Sequence, residues 1–368
     1  MIESLHIAGF KLFRDITLPR LGQLNLFVGE NNSGKSCMLQ AINLYAGQIP
    51  VADIVQVAGG LSEGSLRPWD PVDLTEEGTS IGHPVFDLFH RIGQGLADEF
   101  VIEKIGDTSP LRVECRPHRL VRDEQDFIRY VPVNQADATS PDTVEMALAI
   151  YRGERRVGLL TRRRWPMLPS RIAVSDKVLN EEASSAALVP AHGFSSEKAA
   201  SMWDGLVQGP GQELVLDWLR MLDPRIEDLA YVAASRETRV ALLKVHGQGR
   251  VPLRSMGDGL TKLFHIALAV ASASKGVLLI DEFENGLHWS VQEKLWIAVA
   301  KAASEFNVQV FSTTHSRDCI EGFTSAVKSG GPNTASVYRL ERKGDDVLAT
   351  NLPLLNVEAA MREHGEVR

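Results

Sequence analysis

The first 45 residues carry a strand, strand, loop, helix pattern. Leu5 and Ile7 alternate with polar residues as in a half-buried strand, and the apolar run Leu24–Val28 predicts a second strand. A glycine-rich turn follows this run. Beyond it, apolar residues recur at helical spacing: Met38, Ala41, Ile42 and Tyr45.

The last third of the chain alternates helical and strand patterns. An apolar stripe predicts one helix: Leu260, Leu263, Phe264, Ala267, Leu268 and Ala271. Continuous runs at Val277–Ile280 and Val308–Ser312 are typical of central parallel strands that are buried on both faces. Between them, Ser290 and Glu293 form a capping-box pattern that predicts the start of a helix. This order indicates a right-handed crossover in a mainly parallel sheet.

The middle of the chain gives a weaker pattern, because Gly- and Pro-rich stretches interrupt it. Short strands are predicted near Phe100–Ile105 and Leu111–Cys115, and a helix over Glu213–Leu222. We expect an α/β fold with a mainly parallel central sheet, antiparallel N-terminal strands and a mostly helical insertion. The expected parts are an N-terminal lobe at 1–125, a helical insertion or lid at 126–235 and a C-terminal lobe at 236–368.

Composition favours an ordinary globular protein. The 368 residues are 44% hydrophobic and 23% charged, with a net charge of −8. This acidic balance argues against a surface that is basic throughout, although local basic patches can still bind nucleic acid. The sequence shows no signal peptide and no apolar run of membrane-spanning length, so we expect no membrane partner. Three widely spaced cysteines give no disulfide framework, which favours the cytoplasm.

The strongest motif is the glycine-rich turn after the second strand, whose segment Gly29–Ser36 matches GxxxxGK[ST]. Glycines let the backbone fold around a phosphate, so that N–H groups and the start of the helix face the anion. Lys35 is expected to reach the β- and γ-phosphates and Ser36 to ligate Mg²⁺. The candidate nucleotide-binding residues in this turn are Gly29, Glu30, Asn31, Asn32, Ser33, Gly34, Lys35, Ser36 and Cys37.

A second motif is the acidic pair Asp281 and Glu282 at the end of an apolar strand. The carboxyl edge of a parallel sheet is where α/β proteins bind ligands. Asp281 is therefore expected to hold Mg²⁺, and Glu282 to orient and polarise the attacking water. An acidic pair after a strand is by itself often only a helix start or a solvated turn. Its place downstream of the glycine-rich turn favours the chemical interpretation.

Two further candidates flank the acidic pair. Ser255 and Gly257 precede a long apolar helix and form a signature-like turn that can offer a hydroxyl and helix N–H groups to a γ-phosphate. This turn is degenerate, because Met256 and Asp258 stand where the signature consensus has Gly and Gln. His315 ends the strand that follows the acidic pair, where it can hydrogen-bond a γ-phosphate and respond to its loss. The catalytic candidates are Lys35, Glu282 and His315.

The order of these motifs resembles the AAA-type ATPases of the OLD and RecF/SMC-like group, which are ABC-class heads. The segments that carry the resemblance are Ile7–Lys11, Trp203–Val207, Val215–Pro224, Gly257–Leu260, Leu279–His288 and Thr313–Ser316. It covers roughly 1–45 and 200–345. The resemblance implies ATP and Mg²⁺ as cofactors and a homodimer or higher homo-oligomer in which two heads sandwich two ATP molecules. It also implies that Glu284–His288 is the D-loop at that interface.

The chain departs from the resemblance in two places. OLD nucleases continue into a metal-dependent TOPRIM domain, whereas only about 50 residues follow His315 here. We therefore expect a separately encoded effector protein. The second departure is the Q-loop, for which Gln94 and Gln125 are both candidates.

Three roles fit these expectations. The first is the sensor or regulatory ATPase of a bacterial anti-phage defence system, which the resemblance to small stand-alone members implies. The second is an ATP-gated clamp on DNA, favoured by the basic stretch 151–165 and its arginines near Trp165. The third is a scaffold that binds ATP and stores an effector in an inactive assembly. A basic run is also commonly a solvated face or an ion-pair partner, so nucleic acid is a possible partner only.

Overall fold

The fold was analysed in a computed structural model. It describes residues 1–47, 54, 88–90, 98–122, 128–133, 144–161, 186–207, 209–235, 238–273, 275–329 and 334–362. The strands are β1 (Leu5–Phe10), β2 (Phe13–Leu18), β3 (Leu24–Val28), β4 (Asp98–Glu103), β5 (Leu111–Arg122), β6 (Ile128–Pro132), β7 (Val144–Arg152), β8 (Arg155–Thr161), β9 (Ala186–Val189), β10 (Ile226–Ala233), β11 (Arg239–Val245), β12 (Gly249–Pro252), β13 (Val277–Ile280), β14 (Gln309–Thr314), β15 (Ala335–Lys343) and β16 (Asp346–Leu352).

The helices pack around these strands. In chain order they are α1 (Lys35–Ala46), α2 (Ser196–Leu206), α3 (Pro210–Arg220), α4 (Asp258–Ser272), α5 (Trp289–Glu305), α6 (Arg317–Lys328) and α7 (Leu354–Arg362). A 3-10 turn at Leu253–Met256 leads into α4. In the part of the chain described above, no helix is both long and apolar enough to cross a bilayer.

The central sheet has the strand order β16-β15-β3-β14-β13-β9. All neighbours pair in parallel except β15 and β16, which form an antiparallel pair. Every residue of β3, β13 and β14 is buried, as expected of strands that are covered on both faces. The mainly parallel sheet predicted from the apolar runs is therefore confirmed.

Side-chain alternation in the central sheet divides the core into two layers. Leu26 and Leu278 point into one layer, which contains the apolar face of α4. Phe27 and Leu279 point into the other, which contains the apolar face of α1 and the strands β1 and β2. α1 and α4 therefore lie on opposite faces of the same sheet, and this places the two predicted phosphate-binding turns on different faces.

A second, antiparallel sheet is formed by β2-β1-β4-β5-β7-β8, with β6 also paired to β5. The antiparallel strands predicted for the N-terminal part are confirmed. This sheet continues past residue 125 into the region expected to be a mostly helical insertion. That expectation is wrong for the described residues of 128–161, because they form β6, β7 and β8. Among the described residues of the region, α2 and α3 are the helices. The division into parts at 1–125, 126–235 and 236–368 stays a prediction.

The start of α5 also differs from the sequence pattern. The helix begins at Trp289, one residue before the expected cap, and the ring of His288 accepts a hydrogen bond from the Ser290 N–H at 3.4 Å. Glu293 does not close a capping box, because its carboxylate accepts the hydroxyl proton of Ser325 on α6 at 2.5 Å. The Ser290–Glu293 capping box is therefore wrong.

Gly193 allows the loop after β9 to pass closely over α4. Its φ is +78°, and a Cβ at this position would lie 2.1 Å from Nδ1 of His265. That Nδ1 accepts the Phe194 N–H at 3.1 Å. Burial lowers the pKa of His265 to about 4, which keeps the imidazole neutral and able to accept this bond.

We expect Gly193→Ala to lower the free energy of unfolding by about 3 kcal/mol, because overpacking adds to the cost of a left-handed alanine. Gly106→Ala is the matched control, since Gly106 has φ +79° and open space around its Cβ position. The control should cost only about 1 kcal/mol. Urea denaturation of both variants measures the difference, and equal losses would refute the close contact.

Candidate active site

The predicted phosphate-binding turn joins β3 to α1, and its glycines are required by the backbone. Gly29 has φ +150°, and a Cβ on it would lie 2.4 Å from the Leu340 carbonyl oxygen and 2.7 Å from Ser33 Oγ. Gly34 has φ +97°, and a Cβ there would lie 3.1 Å from the Phe13 ring. The turn therefore has the geometry that a P-loop needs, with the N-terminus of a helix at its end.

Lys35 points back into this turn. Its ammonium donates to the carbonyl oxygens of Gly29 at 2.8 Å and Glu30 at 2.6 Å. The residue is 8% exposed. Burial lowers the pKa of Lys35, while the carboxylates of Glu284 and Asp281 act in the opposite direction. The turn thus holds a largely buried cation within reach of its own backbone.

The remaining predicted residues of the turn differ in exposure. Glu30, Asn31 and Asn32 are exposed, and Asn32 has φ +62°. Ser33 is buried, and its hydroxyl has no hydrogen-bond partner among the described residues. The thiol of Cys37 lies against the apolar layer under α1, and burial raises its pKa. Cys37 therefore contributes packing, and only its position next to Ser36 links it to the turn.

Ser36 connects the turn to the acidic pair. Its hydroxyl lies 3.2 Å from Oδ1 and 3.1 Å from Oδ2 of Asp281, to which it donates. Oδ1 of Asp281 also accepts the hydroxyl proton of Thr313 at 2.7 Å. The carboxylate, which is 4% exposed, therefore joins the ends of α1, β13 and β14. The structure brings together the two predicted Mg²⁺ ligands, which are separated by 245 residues in sequence.

Glu282 has a backbone conformation that side-chain-bearing residues rarely adopt, with φ +46°. Its N–H donates to Thr313 Oγ1 at 2.8 Å. The next N–H, from Phe283, donates to the Thr313 carbonyl at 3.1 Å. Strained residues of this kind persist where the surrounding structure over-determines them, and they cluster at active sites.

Lys262 is a site residue that the sequence reading missed. It lies on α4 and is 4% exposed. Its ammonium donates to the carbonyl oxygens of Pro190 and Ala191, each at 3.1 Å, and of Asp281 at 3.0 Å. Burial lowers its pKa to about 8. A charged residue within the apolar stripe of α4 was the available signal, since a lysine on a buried helix face needs partners.

Glu284, which was predicted only as the first residue of the D-loop, also holds the predicted switch histidine. Its carboxylate, 9% exposed, accepts the Thr314 hydroxyl proton at 2.7 Å and the His315 N–H at 2.9 Å. His315 Nδ1 lies 3.0 Å from the same carboxylate, while the imidazole side chain is 47% exposed. The ring is thus anchored on one nitrogen and accessible at its other edge.

The predicted signature turn precedes α4. Ser255 is exposed, and its hydroxyl donates to the Pro252 carbonyl at 2.7 Å. Gly257 has φ +98° at the start of the helix, and no side chain caps the first turn of α4 in the described part of the chain. Gly259 packs against the D-loop segment, because a Cβ there would lie 2.9 Å from the Gly286 carbonyl oxygen. The turn therefore presents free helix N–H groups beside the predicted D-loop.

Several predicted features fall outside the described residues. Both Q-loop candidates, Gln94 and Gln125, are among them, as are Arg162–Trp165 of the basic stretch. Within the described part of that stretch, Arg152 donates to the Leu44 carbonyl at 3.3 Å and lies over the Tyr45 ring. Arg152 therefore supports the end of α1.

Comparison with protein families gives the class of domain. A model described as "AAA ATPase domain" matches residues 1–56, which contain the P-loop. A model described as "AAA domain, putative AbiEii toxin, Type IV TA system" matches residues 164–318, which contain the signature turn, the acidic pair and His315. The two matches show AAA-type ATPase domains, and the protein is an ATPase.

Individual relatives agree with this class. The protein is 22% identical over 343 residues to the "ATP/GTP phosphatase" of Helicobacter pylori, an alignment that spans 87% of each chain. Among solved structures, it resembles the Smc head bound to the C-winged helix domain of ScpA, with a TM-score of 0.51, 15% identity and coverage of 96% of this chain and 98% of the other. It also resembles the Smc head domain with an extended coiled coil bound to the C-terminal domain of ScpA, derived from Pyrococcus furiosus. Here the TM-score is 0.50, the sequence identity is 14% and the coverage is 99% of each chain. These likenesses show the fold of an SMC-type ATPase head and confirm the predicted fold class.

We expect Lys35→Ala to weaken ATP binding by about 100-fold or more, because removal of one member of a buried charge pair leaves the other charge without its partner. The exposed Lys301→Ala on α5 is the control and should bind like the parent. Isothermal titration with a non-hydrolysable ATP analogue checks both. Unchanged affinity in Lys35→Ala would contradict the P-loop assignment.

Proposed function

We propose that two copies of this chain close head to tail around two molecules of Mg²⁺-ATP and hydrolyse them. Each ATP is gripped by the P-loop of one copy and completed by the signature turn of the other. The observation that carries this proposal is the cluster of Ser36, Asp281 and Thr313 next to Lys35. The position of α1 and α4 on opposite faces of one sheet supports completion by a second copy.

The P-loop suits a triphosphate. The orphaned Ser33 hydroxyl offers a donor, and Lys35 can exchange its two backbone carbonyls for phosphate oxygens. The groups in this loop address phosphates and not the base, so GTP belongs in the same assays. The name of the Helicobacter pylori relative gives a second reason to include it.

The Ser36–Asp281 pair suits Mg²⁺. This ion usually keeps several waters and is held by one or two protein groups together with substrate phosphates. Among the described residues there is no group of three or more carboxylate, imidazole or thiol ligands, which would favour a closed metal cage. When bound, Mg²⁺ neutralises charge on the β- and γ-phosphates.

Glu282 and His315 supply the remaining chemistry. Glu282 orients the attacking water and accepts its proton, as a carboxylate beside the phosphate can do. The accessible edge of His315 hydrogen-bonds the γ-phosphate, while Glu284 keeps the ring in place. Loss of the γ-phosphate would then affect both β14 and the D-loop. Thr314 at the end of β14 donates to Glu284, and Glu284 is itself the first residue of the D-loop.

The biological role that we propose is a sensor or regulatory ATPase of a bacterial anti-phage defence system, working with a separately encoded effector. The model that matches residues 164–318 is described as a putative toxin of a type IV TA system, which supports a role in a system with a toxic component. The Smc heads that share this fold are bound to ScpA domains, which supports a protein partner for a head of this shape.

A second candidate is an ATP-gated DNA clamp. Arg155 and Arg156 are exposed on β8, directly after the turn at Gly153 that joins β7 to β8. Two adjacent exposed arginines on a hairpin suit contacts to a phosphate backbone.

We expect Glu282→Gln to bind ATP and to reduce turnover by about 100-fold or more. The variant should accumulate as an ATP-bound dimer, because the dimer opens only after ATP is hydrolysed. Light scattering coupled to gel filtration, with and without ATP, measures the dimer. Glu305→Gln, an exposed residue at the end of α5, is the control. Full turnover in Glu282→Gln would exclude it as the water-positioning base.

Phage infection separates the two roles. Phage should form fewer plaques on cells that express the protein together with its neighbouring genes than on cells that carry Lys35→Ala, because the substitution removes the lysine that binds the phosphates. Equal plaquing would argue against defence. A DNA-stimulated ATPase rate that is lost in Arg155→Ala/Arg156→Ala would favour the clamp instead.

A further inference from the structure

The peptide bond between Asp281 and Glu282 is held at both of its polar ends. Its carbonyl oxygen accepts a hydrogen bond from Lys262 Nζ at 3.0 Å. Its N–H donates to Thr313 Oγ1 at 2.8 Å. The plane of this peptide is therefore set by α4 on one side and by β14 on the other.

This peptide decides where the Glu282 side chain points. A non-glycine residue at φ +46° costs about 1–2 kcal/mol relative to the right-handed region. The conformation persists because neighbouring groups over-determine it. Rotation of the peptide would release the strain and carry the Glu282 carboxylate away from its present direction.

Lys262 is saturated by the bonds it makes. An ammonium group has three donors, and here they meet the carbonyl oxygens of Pro190, Ala191 and Asp281. All three acceptors are backbone atoms, so the lysine connects α4 to the main chain directly after β13 and to the loop after β9. Such a set of bonds offsets the cost of burying the charge.

α4 also begins at the signature turn. Gly257 and Gly259 lie at the start of this helix, and Gly259 touches Gly286 of the D-loop segment. Lys262 follows in the second turn of the helix. Any displacement of the helix start therefore acts on the Asp281–Glu282 peptide through one side chain.

We propose that Lys262 is a positioning residue for Glu282. Lys262 holds the Asp281–Glu282 peptide in its strained orientation and couples α4, the helix that follows the signature turn, to hydrolysis. This inference rests on the proposed role of Glu282 as the water-positioning base. The lysine itself is not expected to touch ATP.

The first test is Lys262→Met, which keeps the length of the side chain and removes its donors. We expect kcat for ATP to fall by about 100-fold, the effect of a misplacement near 1 Å, while KM changes by less than about threefold. Lys301→Met, on the exposed face of α5, is the matched control and should leave both constants unchanged. An unchanged kcat, or a loss confined to KM, would overturn the proposal.

The second test places Lys262→Met in the Glu282→Gln background and measures single-turnover rates. Because the two residues are proposed to act as a unit, the second substitution should slow the reaction no further. Equal slowing in both backgrounds would indicate general damage to the fold and reject the positioning role. Full activity of Glu282→Gln alone would instead reject the proposed base, whatever Lys262→Met does.

Thr313→Val provides an independent variant should Lys262→Met fold poorly. It removes the partner of the Glu282 N–H from the opposite side of the same peptide. Because Thr313 also bonds Asp281, its rates are measured at saturating Mg²⁺. The same loss of kcat with retained KM is expected, and a wild-type kcat would refute control of Glu282 through this peptide.

Discussion

The hydrogen bonds around Asp281 are the constraint on which the site depends. Its carboxylate joins Ser36 at the start of α1 to Thr313 on β14, and its carbonyl joins Lys262 on α4. A carboxylate that is 4% exposed needs such partners, because a buried charge without them is costly. Hydrogen bonds of Asp281 thus connect the P-loop, the acidic pair and α4.

The two-layered core explains why a second copy is proposed to complete each site. α1 and α4 each cover one face of the central sheet, so the P-loop and the signature turn begin helices on different faces. The Ser255 hydroxyl donates to the Pro252 carbonyl, and no side chain caps the first turn of α4 in the described residues. Free helix N–H groups favour an anion. A phosphate presented by another molecule is the ligand that such a surface suits.

Sequence patterns predicted the buried strands well and the partly exposed ones poorly. The apolar runs at Leu24–Val28 and Val277–Ile280 coincide with β3 and β13, because strands buried on both faces must be apolar throughout. The strands β6, β7 and β8 were missed and their region was expected to be mostly helical. Their partners are near in sequence, since β6 pairs with β5 and β7 pairs with β5 and β8. A short apolar run such as Met146–Ile150 on β7 cannot be told from a buried helix by periodicity alone. The capping box at Ser290 failed for a local reason, since His288 caps the helix instead.

The sequence by itself determined the P-loop, the acidic pair and the order of the motifs, because these rest on local backbone geometry and on short apolar runs. The positions of Gly29 and Gly34 can be predicted from the sequence, since only glycine fits the backbone of this turn. The tertiary structure alone decided that Lys262 belongs to the site and that Glu284 of the predicted D-loop holds His315. Lys262 bonds the carbonyl of Asp281, and Glu284 bonds the N–H of His315. Both partners are distant in sequence and are backbone groups, which every residue carries, so no sequence motif identifies them. Long-range hydrogen bonds to the main chain cannot be predicted from the pattern of side chains, and here they hold the peptide that precedes Glu282.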